Sequence, residues 1–376
     1  MSYGWIFRYG PTGSTIFTND VLSFNGSDGR QNYNDNYAGG FFNITIKNNT
    51  NQIANFPRGT NVLIVLDTGN TFAQGTVSNI EFNDYPGDTG LSTATITCID
   101  SISRAGKWQL KNFTGYTASK TITQAQQTNY AISGLETPGI LELIDYGQSD
   151  ASAVASYSGT ILNRLNLLCQ TEKGLLSSRS AAIYFISRKD ISTTPAPVSL
   201  TRSTVSTTTI AYEDFKRQAV GENFYNQVTV TPELVAEQQA NNLTSQTNYG
   251  VAGYSITTVD ASTTQAAGLA SWLSEMQGDP TTLRYEVTFT DVGNNSTAFT
   301  DLLLGLRVFA DEMLSLQWQA QGQSLQTVNT IYEGMTYSGT PAESRITLYL
   351  SPNEYYEYFI LDDAVNGILD TSRLGW

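Results

Sequence analysis

The sequence predicts a mainly β protein with an α+β insert, in which one β module is present twice. Three observations carry that reading. Apolar and polar residues alternate with period two through much of the first hundred residues and again in the last third. Between those regions apolar residues recur at helical spacing, next to a short apolar strand. Finally, a strand followed by a hairpin occurs near both ends with almost the same spacing.

Taken in order, Phe42, Ile44 and Ile46 alternate with Asn43, Thr45 and Lys47, the pattern of a strand with one buried face. Residues 62–66 are wholly apolar, follow the turn-forming Pro57-Arg58-Gly59, and predict a more buried strand. Strands at 75–82 and 93–99 flank the turn-rich Asn83-Asp84-Tyr85-Pro86-Gly87-Asp88. Several short strands punctuated by Gly, Pro and Asn predict a small barrel or sandwich. Residues 121–133 predict a helix ending at Gly134. Ile161, Leu162, Leu165, Leu168 and Cys169 predict a second, with Ser158 as cap and Gly174 as stop. Ala182-Ile183-Tyr184-Phe185-Ile186 reads as a strand, and the breaker-rich 192–197 as a linker.

Beyond the linker, 225–231 predicts a strand. Asp260 is expected to cap a helix whose apolar face is Ala266, Leu269, Ala270, Leu273 and Met276, ended by Gly278-Asp279-Pro280. Leu283, Tyr285, Val287 and Phe289 alternate as a strand. A short helix over 299–304 and strands near 314–319, 328–337 and 346–350 complete the chain. These changes of character divide it into a first β domain (1–106), a middle α/β domain (107–195) and a second β domain with helical inserts (196–376).

The echo between the ends can be stated by residue. Phe56-Pro57-Arg58-Gly59 leads to Val62, then Val77 to Glu81, a turn, and Ala94-Thr95-Ile96-Thr97. Leu303-Leu304-Gly305 leads to Val308, then Val328-Asn329-Thr330-Ile331, a turn, and Arg345-Ile346-Thr347-Leu348. Both read as a glycine-led strand followed by a hairpin with a long polar turn. Two unrelated hairpins would also look alike; the sharper reading is a duplicated β module around an α/β insert.

Composition excludes more chemistry than it suggests. The 376 residues include no histidine, so Ser–His and Cys–His nucleophile pairs and His-ligated metals are impossible. Two cysteines, Cys98 and Cys169, cannot build a zinc knuckle or an iron–sulfur cluster. Both sit in apolar patterns and are expected as free buried thiols rather than as a disulfide. A net charge of -14 disfavours sequence-reading nucleic-acid binding, which draws on Lys and Arg. The amino terminus lacks a basic start followed by an apolar run, so no signal peptide is expected, and no apolar stretch approaches a membrane span.

No phosphate-binding loop or nucleophile elbow is present; Gly106-Lys107-Trp108 lacks the required spacing. Asn25-Gly26-Ser27-Asp28-Gly29 superficially suggests a calcium loop, but Asn36 stands where the closing glutamate would be, and the segment reads as a turn. Asp311-Glu312 and Asp362-Asp363 are adjacent acids, expected in solvated turns rather than as acid/base partners. The aromatic run Glu354-Tyr355-Tyr356-Glu357-Tyr358-Phe359 lacks Lys and Arg and is expected to make a structural contact rather than to stack on bases. No catalytic, cofactor or metal residue is assigned.

Several longer motifs resemble proteins of bacteriophage tails. Asp28-Gly29-Arg30-Gln31-Asn32-Tyr33-Asn34-Asp35-Asn36-Tyr37-Ala38-Gly39-Gly40, followed by Ile44-Thr45-Ile46, resembles the opening domain of that family. So does Ile80-Glu81-Phe82-Asn83-Asp84-Tyr85-Pro86 leading to Ser92-Thr93-Ala94-Thr95-Ile96. Leu165-Asn166-Leu167-Leu168 with Thr171-Glu172-Lys173-Gly174 resembles the middle domain of tail hub proteins, and Tyr225-Asn226-Gln227-Val228-Thr229-Val230 with Asn248-Tyr249-Gly250 keeps the family's order. The ending, Phe359-Ile360-Leu361-Asp362 then Gly367 to Leu374, is similar to the C-terminal signature. The resemblance implies two tail-tube-like β-barrels in one chain and a non-enzymatic homotrimer without cofactors. It implies a hub at the distal end of a virion's tail, joining a sixfold tube to a threefold tip. The implied partners are the tail tube or a distal tail protein, a separate tip, spike or fibre protein, and passing DNA that is not gripped. A receptor- or glycan-binding tail protein, stacking Tyr and Trp on sugars, is the alternative.

Overall fold

The computed structural model describes residues 4–355 apart from 11, 49–51, 67–68, 86–90, 114, 122, 126–140, 144–148, 180–181, 189–190, 192–194, 220–222, 280–282 and 309–312. Its main body is one 14-stranded sheet. Seven strands come from the first hundred residues: β1 (Trp5–Tyr9), β2 (Thr15–Ile16), β3 (Val21–Gly29), β4 (Phe41–Lys47), β5 (Asn61–Leu66), β6 (Thr71–Asn83) and β7 (Thr93–Ile99). Seven more follow the middle region: β8 (Pro195–Thr201), β9 (Thr209–Ala211), β10 (Asp214–Ala219), β11 (Leu283–Thr290), β12 (Met313–Trp318), β13 (Gln326–Thr340) and β14 (Glu343–Pro352). Alternation explains them locally. In β7, Ala94, Ile96 and Cys98 are buried while the threonines between them are half-buried.

The two sets share one strand order, β2-β1-β5-β6-β7-β4-β3 in the first and β9-β8-β12-β13-β14-β11-β10 in the second. Finer details recur with it. A bulge interrupts the β6–β7 pairing at Ser78 and the β13–β14 pairing at Glu333. A cross-strand hydroxyl pair joins Thr45 to Thr95 at 3.3 Å and, at the equivalent place, Thr288 to Thr347 at 2.9 Å. One strand differs: β1 runs antiparallel to β5, whereas β8 runs parallel to β12. Each set curls until distant strands meet across its core. Phe7 of β1 and Phe24 of β3 bring their rings to 5.3 Å, and Phe215 of β10 reaches Trp318 of β12 at 5.5 Å. The fold is therefore mainly β, with two barrel-like units fused through β13, whose second half pairs with β3.

The duplication is present, but the sequence echo misplaced its details. Leu303-Leu304-Gly305 lies in a helix, because Phe299, Leu302, Leu303 and Leu306 fall on one buried face. The second hairpin turns tightly between Thr340 and Glu343 rather than through a long polar loop. By register Ile80 corresponds to Met335, not Ile331.

Between the barrels lie α1 (Ser101–Lys107), α2 (Ile161–Glu172) and a hairpin of Leu175–Arg179 with Ala182–Ile186. Asp100 caps α1, accepting from the Ser103 N–H at 2.7 Å. Thr160 rather than Ser158 caps α2, because its extended backbone brings its hydroxyl to the Asn163 N–H. Lys173, not Gly174, takes the left-handed position after α2, at φ 52°. Of the helix expected over 121–133, residues 121 and 123–125 are helical and the rest lies outside the described residues.

A further layer follows β10. Strands Gln227–Pro232, Gln238–Asn241 and Gly253–Thr258 form their own sheet, with α3 (Leu243–Tyr249) beside it and α4 (Thr263–Met276) packed against its first two strands. Ala266, Leu269, Ala270, Leu273 and Met276 of α4 are all buried. Ser262 caps α4; Asp260 instead turns inward, accepting from the Thr258 hydroxyl and the Gln265 amide, both at 2.6 Å. The helix expected over 299–304 is longer, α5 (Ser296–Val308), because Asn295 caps it through the Ala298 N–H. The expected linker at 192–197 already contains the start of β8, an entry strand compatible with Pro195 and Pro197. Asn25 to Gly29 is not a turn but the last part of β3, paired along its length with β13 and, up to Ser27, also with β4. Among the described residues no helix is long and apolar enough to cross a membrane.

Candidate functional site

The densest polar construction lies where the two barrels and the middle region meet. Its centre is the loop over 30–40, which leaves β3 at Gly29. Arg30 is buried, and its Nε donates to Glu333 Oε2 at 2.6 Å. Glu333 is the bulge residue of β13, and its carbonyl also accepts the Arg30 N–H at 2.9 Å. The guanidinium lies over Tyr37 at 4.6 Å and Tyr33 at 5.4 Å, and Lys173 Nζ approaches the Tyr33 ring at 5.1 Å.

The same loop reaches four other elements. The Tyr37 backbone exchanges two hydrogen bonds with the Asn166 amide of α2, at 2.9 and 3.1 Å. Gln170 of α2 donates to Asn36 Oδ1, Gln277 after α4 to Asn34 Oδ1, and Arg284 of β11 to Asn32 Oδ1. Tyr355, following β14, packs its ring 4.9 Å from Tyr33. One asparagine- and tyrosine-rich loop thus ties together parts of the chain hundreds of positions apart.

The electrostatics are those of a sealed joint. Burial, with the neighbouring Arg30 cation adding to it, lowers Lys173 to about 7. Burial raises Cys169 to about 12, and holds the Tyr33 and Tyr37 hydroxyls well above their ordinary range. A thiol so raised is a poor nucleophile, and Lys173 is spent on Gln170 Oε1 at 2.8 Å. Nearby, a cavity of about 160 Å³ is lined by Asp28, Asp100, Ser178, Tyr184 and Tyr337, among others. Burial, then the adjacent Asp28 charge, raises Asp100 to about 7. Its bond to the α1 terminus and the backbone contact between Asp100 N–H and Gly40 O account for its position. Among the described residues, no cluster of three or more Cys, Asp or Glu is arranged to hold a metal.

Cys98 and Cys169 are both free and buried. In the aromatic run near the carboxyl end Tyr355 makes a buried contact within the fold; 356–359 lie outside the described residues, as do Asp311-Glu312, Asp362-Asp363 and the C-terminal signature. The Arg30–Glu333 pair escaped sequence reasoning, being 303 positions apart. A usable signal existed: Glu333 is a lone acid in an otherwise neutral strand, in a chain with only 14% charged residues.

No family model matches the chain, and no curated protein matches it in sequence. Solved structures do resemble it. The prophage MuSo2 43 kDa tail protein from Shewanella oneidensis superposes with a TM-score of 0.61 at 13% identity, over 94% of this chain and 98% of that one. A tail protein from Neisseria meningitidis gives 0.62 at 9% identity, over 94% and 97%. An E. coli component of the type VI secretion system, described as structurally similar to phage T4 tail proteins, gives 0.52 at 11% identity, over 92% and 76%. The chain has the fold of these phage tail proteins, in keeping with the resemblance of its motifs.

Proposed function

We propose that this chain is a structural, non-enzymatic protein of a bacteriophage tail or a related tail-like machine. It acts as a trimeric hub at the distal end of the tube, joining sixfold tube to threefold tip around the DNA channel. The observation that carries the reading is the repeated strand order of the two barrels. Three copies of a two-barrel chain present six equivalent units while keeping threefold symmetry, which suits a part that must meet both. The joint of Arg30, Glu333 and the 30–40 loop fits such a role, since it fixes one barrel on the other. The tube or a distal tail protein would stack on one face of the ring, and a tip, spike or fibre protein on the other.

Native mass spectrometry of the purified full chain at micromolar concentration tests the reading. Three chains per particle are expected, with immunogold label at the distal end of isolated tails. A monomer throughout, or label along the whole tube, would overturn it.

A further inference from the structure

On α2, Asn163, Asn166, Leu167 and Gln170 recur at intervals of three and four and so share one face. That face borders a cleft of about 480 Å³, within the roughly 300–1,000 Å³ of small-molecule sites. Asn34 and Asn36 of the 30–40 loop form another wall, and strand Gly253–Thr258 a third. Among the described residues this strand pairs on one side only, with Gln227–Pro232, so the cleft meets a sheet edge. In a chain of net charge -14, no residue lining the cleft is charged.

The polar groups of the cleft are held in place, and several are left over. Both ends of the Asn166 amide are fixed on the Tyr37 backbone, and Gln170 holds Asn36 through its Oδ1 at 3.2 Å. The Tyr254 ring stacks on Tyr225, with centroids 4.7 Å apart and planes at 21°. Gln277 donates to Asn34 Oδ1 at 3.1 Å, while Asn34 Nδ2 is buried without a partner. Turning both amides end for end keeps that bond and still leaves one end of Asn34 unpaired. The hydroxyls of Tyr254, Ser255 and Thr257 likewise have no protein partner among the described residues.

We propose that this cleft binds a short, uncharged oligosaccharide. A phosphate or carboxylate ligand would find no cation there to receive it, and a metal ion would find no carboxylate. A wholly apolar ligand would strip water from the amides and hydroxyls and give them nothing in return. Sugar hydroxyls both donate and accept, as carboxamide and hydroxyl side chains do, so each leftover group gains a partner. An acceptor reaching Asn34 Nδ2 would relieve a donor that the chain leaves unsatisfied. Leu167 and Ile256, the apolar residues of the lining, suit the C–H face of a sugar ring. Because Asn166, Gln170 and Tyr254 are already fixed, little side-chain freedom is lost on binding. The proposal does not draw on the hub reading.

An oligosaccharide microarray probed with the labelled full chain tests this. Neutral chains of glucose, galactose and N-acetylglucosamine form one arm, and sialylated and sulfated chains the other. Binding is expected in the neutral arm, and the strongest neutral binder is then titrated by calorimetry. Tyr254→Phe keeps the ring stack and removes only the hydroxyl, while Asn163→Ala truncates an exposed amide on α2. Each should weaken binding by about tenfold, the loss of one hydrogen bond. Thr207→Val, exposed in a turn away from the cleft, should leave binding unchanged, and circular dichroism of each variant checks folding. No neutral sugar bound at millimolar concentration would overturn the proposal, as would equal binding in both arms or full affinity in both cleft variants. A random peptide library that selects the cleft when no neutral sugar does would assign the open strand edge to peptide addition instead, and would also overturn it. Trimers that bind no sugar would sink this inference alone, whereas single chains that bind one would sink the hub reading alone.

Discussion

At the scale of single residues, the joint depends on charges that water does not reach. Glu333→Gln leaves the Arg30 guanidinium buried without its counter-charge. Removing one partner of a buried pair costs about 3–5 kcal/mol, and urea denaturation of the variant should show a loss in that range. A second expectation concerns Asp100, raised to about 7 by burial and by Asp28. An unfolded aspartate titrates near about 3.9, so between roughly pH 4 and 7 the folded state binds more protons than the unfolded one. The resulting stabilisation is complete below that window and lost as pH rises through about 7. Asp100→Asn keeps a capping side chain for α1 while removing the titration. Its stability relative to the unmodified protein should improve steadily from pH 4.5 to pH 8, as read by denaturation midpoints. A constant difference across that range would show that Asp100 titrates normally.

Among whole elements, packing decides. Leu269, Leu273 and Met276 of α4 are buried against the sheet layer, and Leu273→Ala should cost about 2–5 kcal/mol in chemical denaturation. At the barrel junction a Cβ on Gly26 would stand 2.5 Å from the Tyr337 ring and 2.6 Å from the Phe41 carbonyl oxygen. Gly26→Val should therefore destabilise by at least about 1–3 kcal/mol, since neither strand can retreat without losing pairing. Elements of this kind were legible in the sequence where one face is buried. Phe41–Lys47, Thr93–Ile99 and Leu283–Thr290 follow the period-two pattern almost to the residue. The helix caps were not, because Ser158 and Thr160, or Asp260 and Ser262, offer equal capping chemistry and only backbone geometry chooses between them. The glycine before Val308 misled for a related reason: a glycine marks a strand entry or sits passively in a helix, and the buried face of α5 decides. The joint itself stayed hidden because strand pairing between β3 and β13 leaves no periodic mark in either segment.

For the whole molecule, the proposed hub role raises the question of what an acidic particle would do to DNA passing through it. The chain carries 34 acids against 20 bases, and the joint takes one cation off the surface by burying Arg30 against Glu333. Phosphate affinity grows with each free cation that displaces a counterion, and a conduit with many such sites would hold DNA in place. A ring whose inner wall is acidic or neutral leaves the duplex hydrated and mobile. The assembled particle should accordingly give no shifted band with double-stranded DNA at about 50 mM salt, where even weak non-specific binders are strengthened. The inner wall of its reconstructed density should carry more Asp and Glu than Lys and Arg. Outward-facing acids that serve only solubility would leave the outer surface acidic and the inner wall indifferent or basic. A salt-sensitive complex with DNA, or a wall dominated by Arg58 and its neighbours, would defeat the passive conduit while leaving the two-barrel fold and its joint untouched.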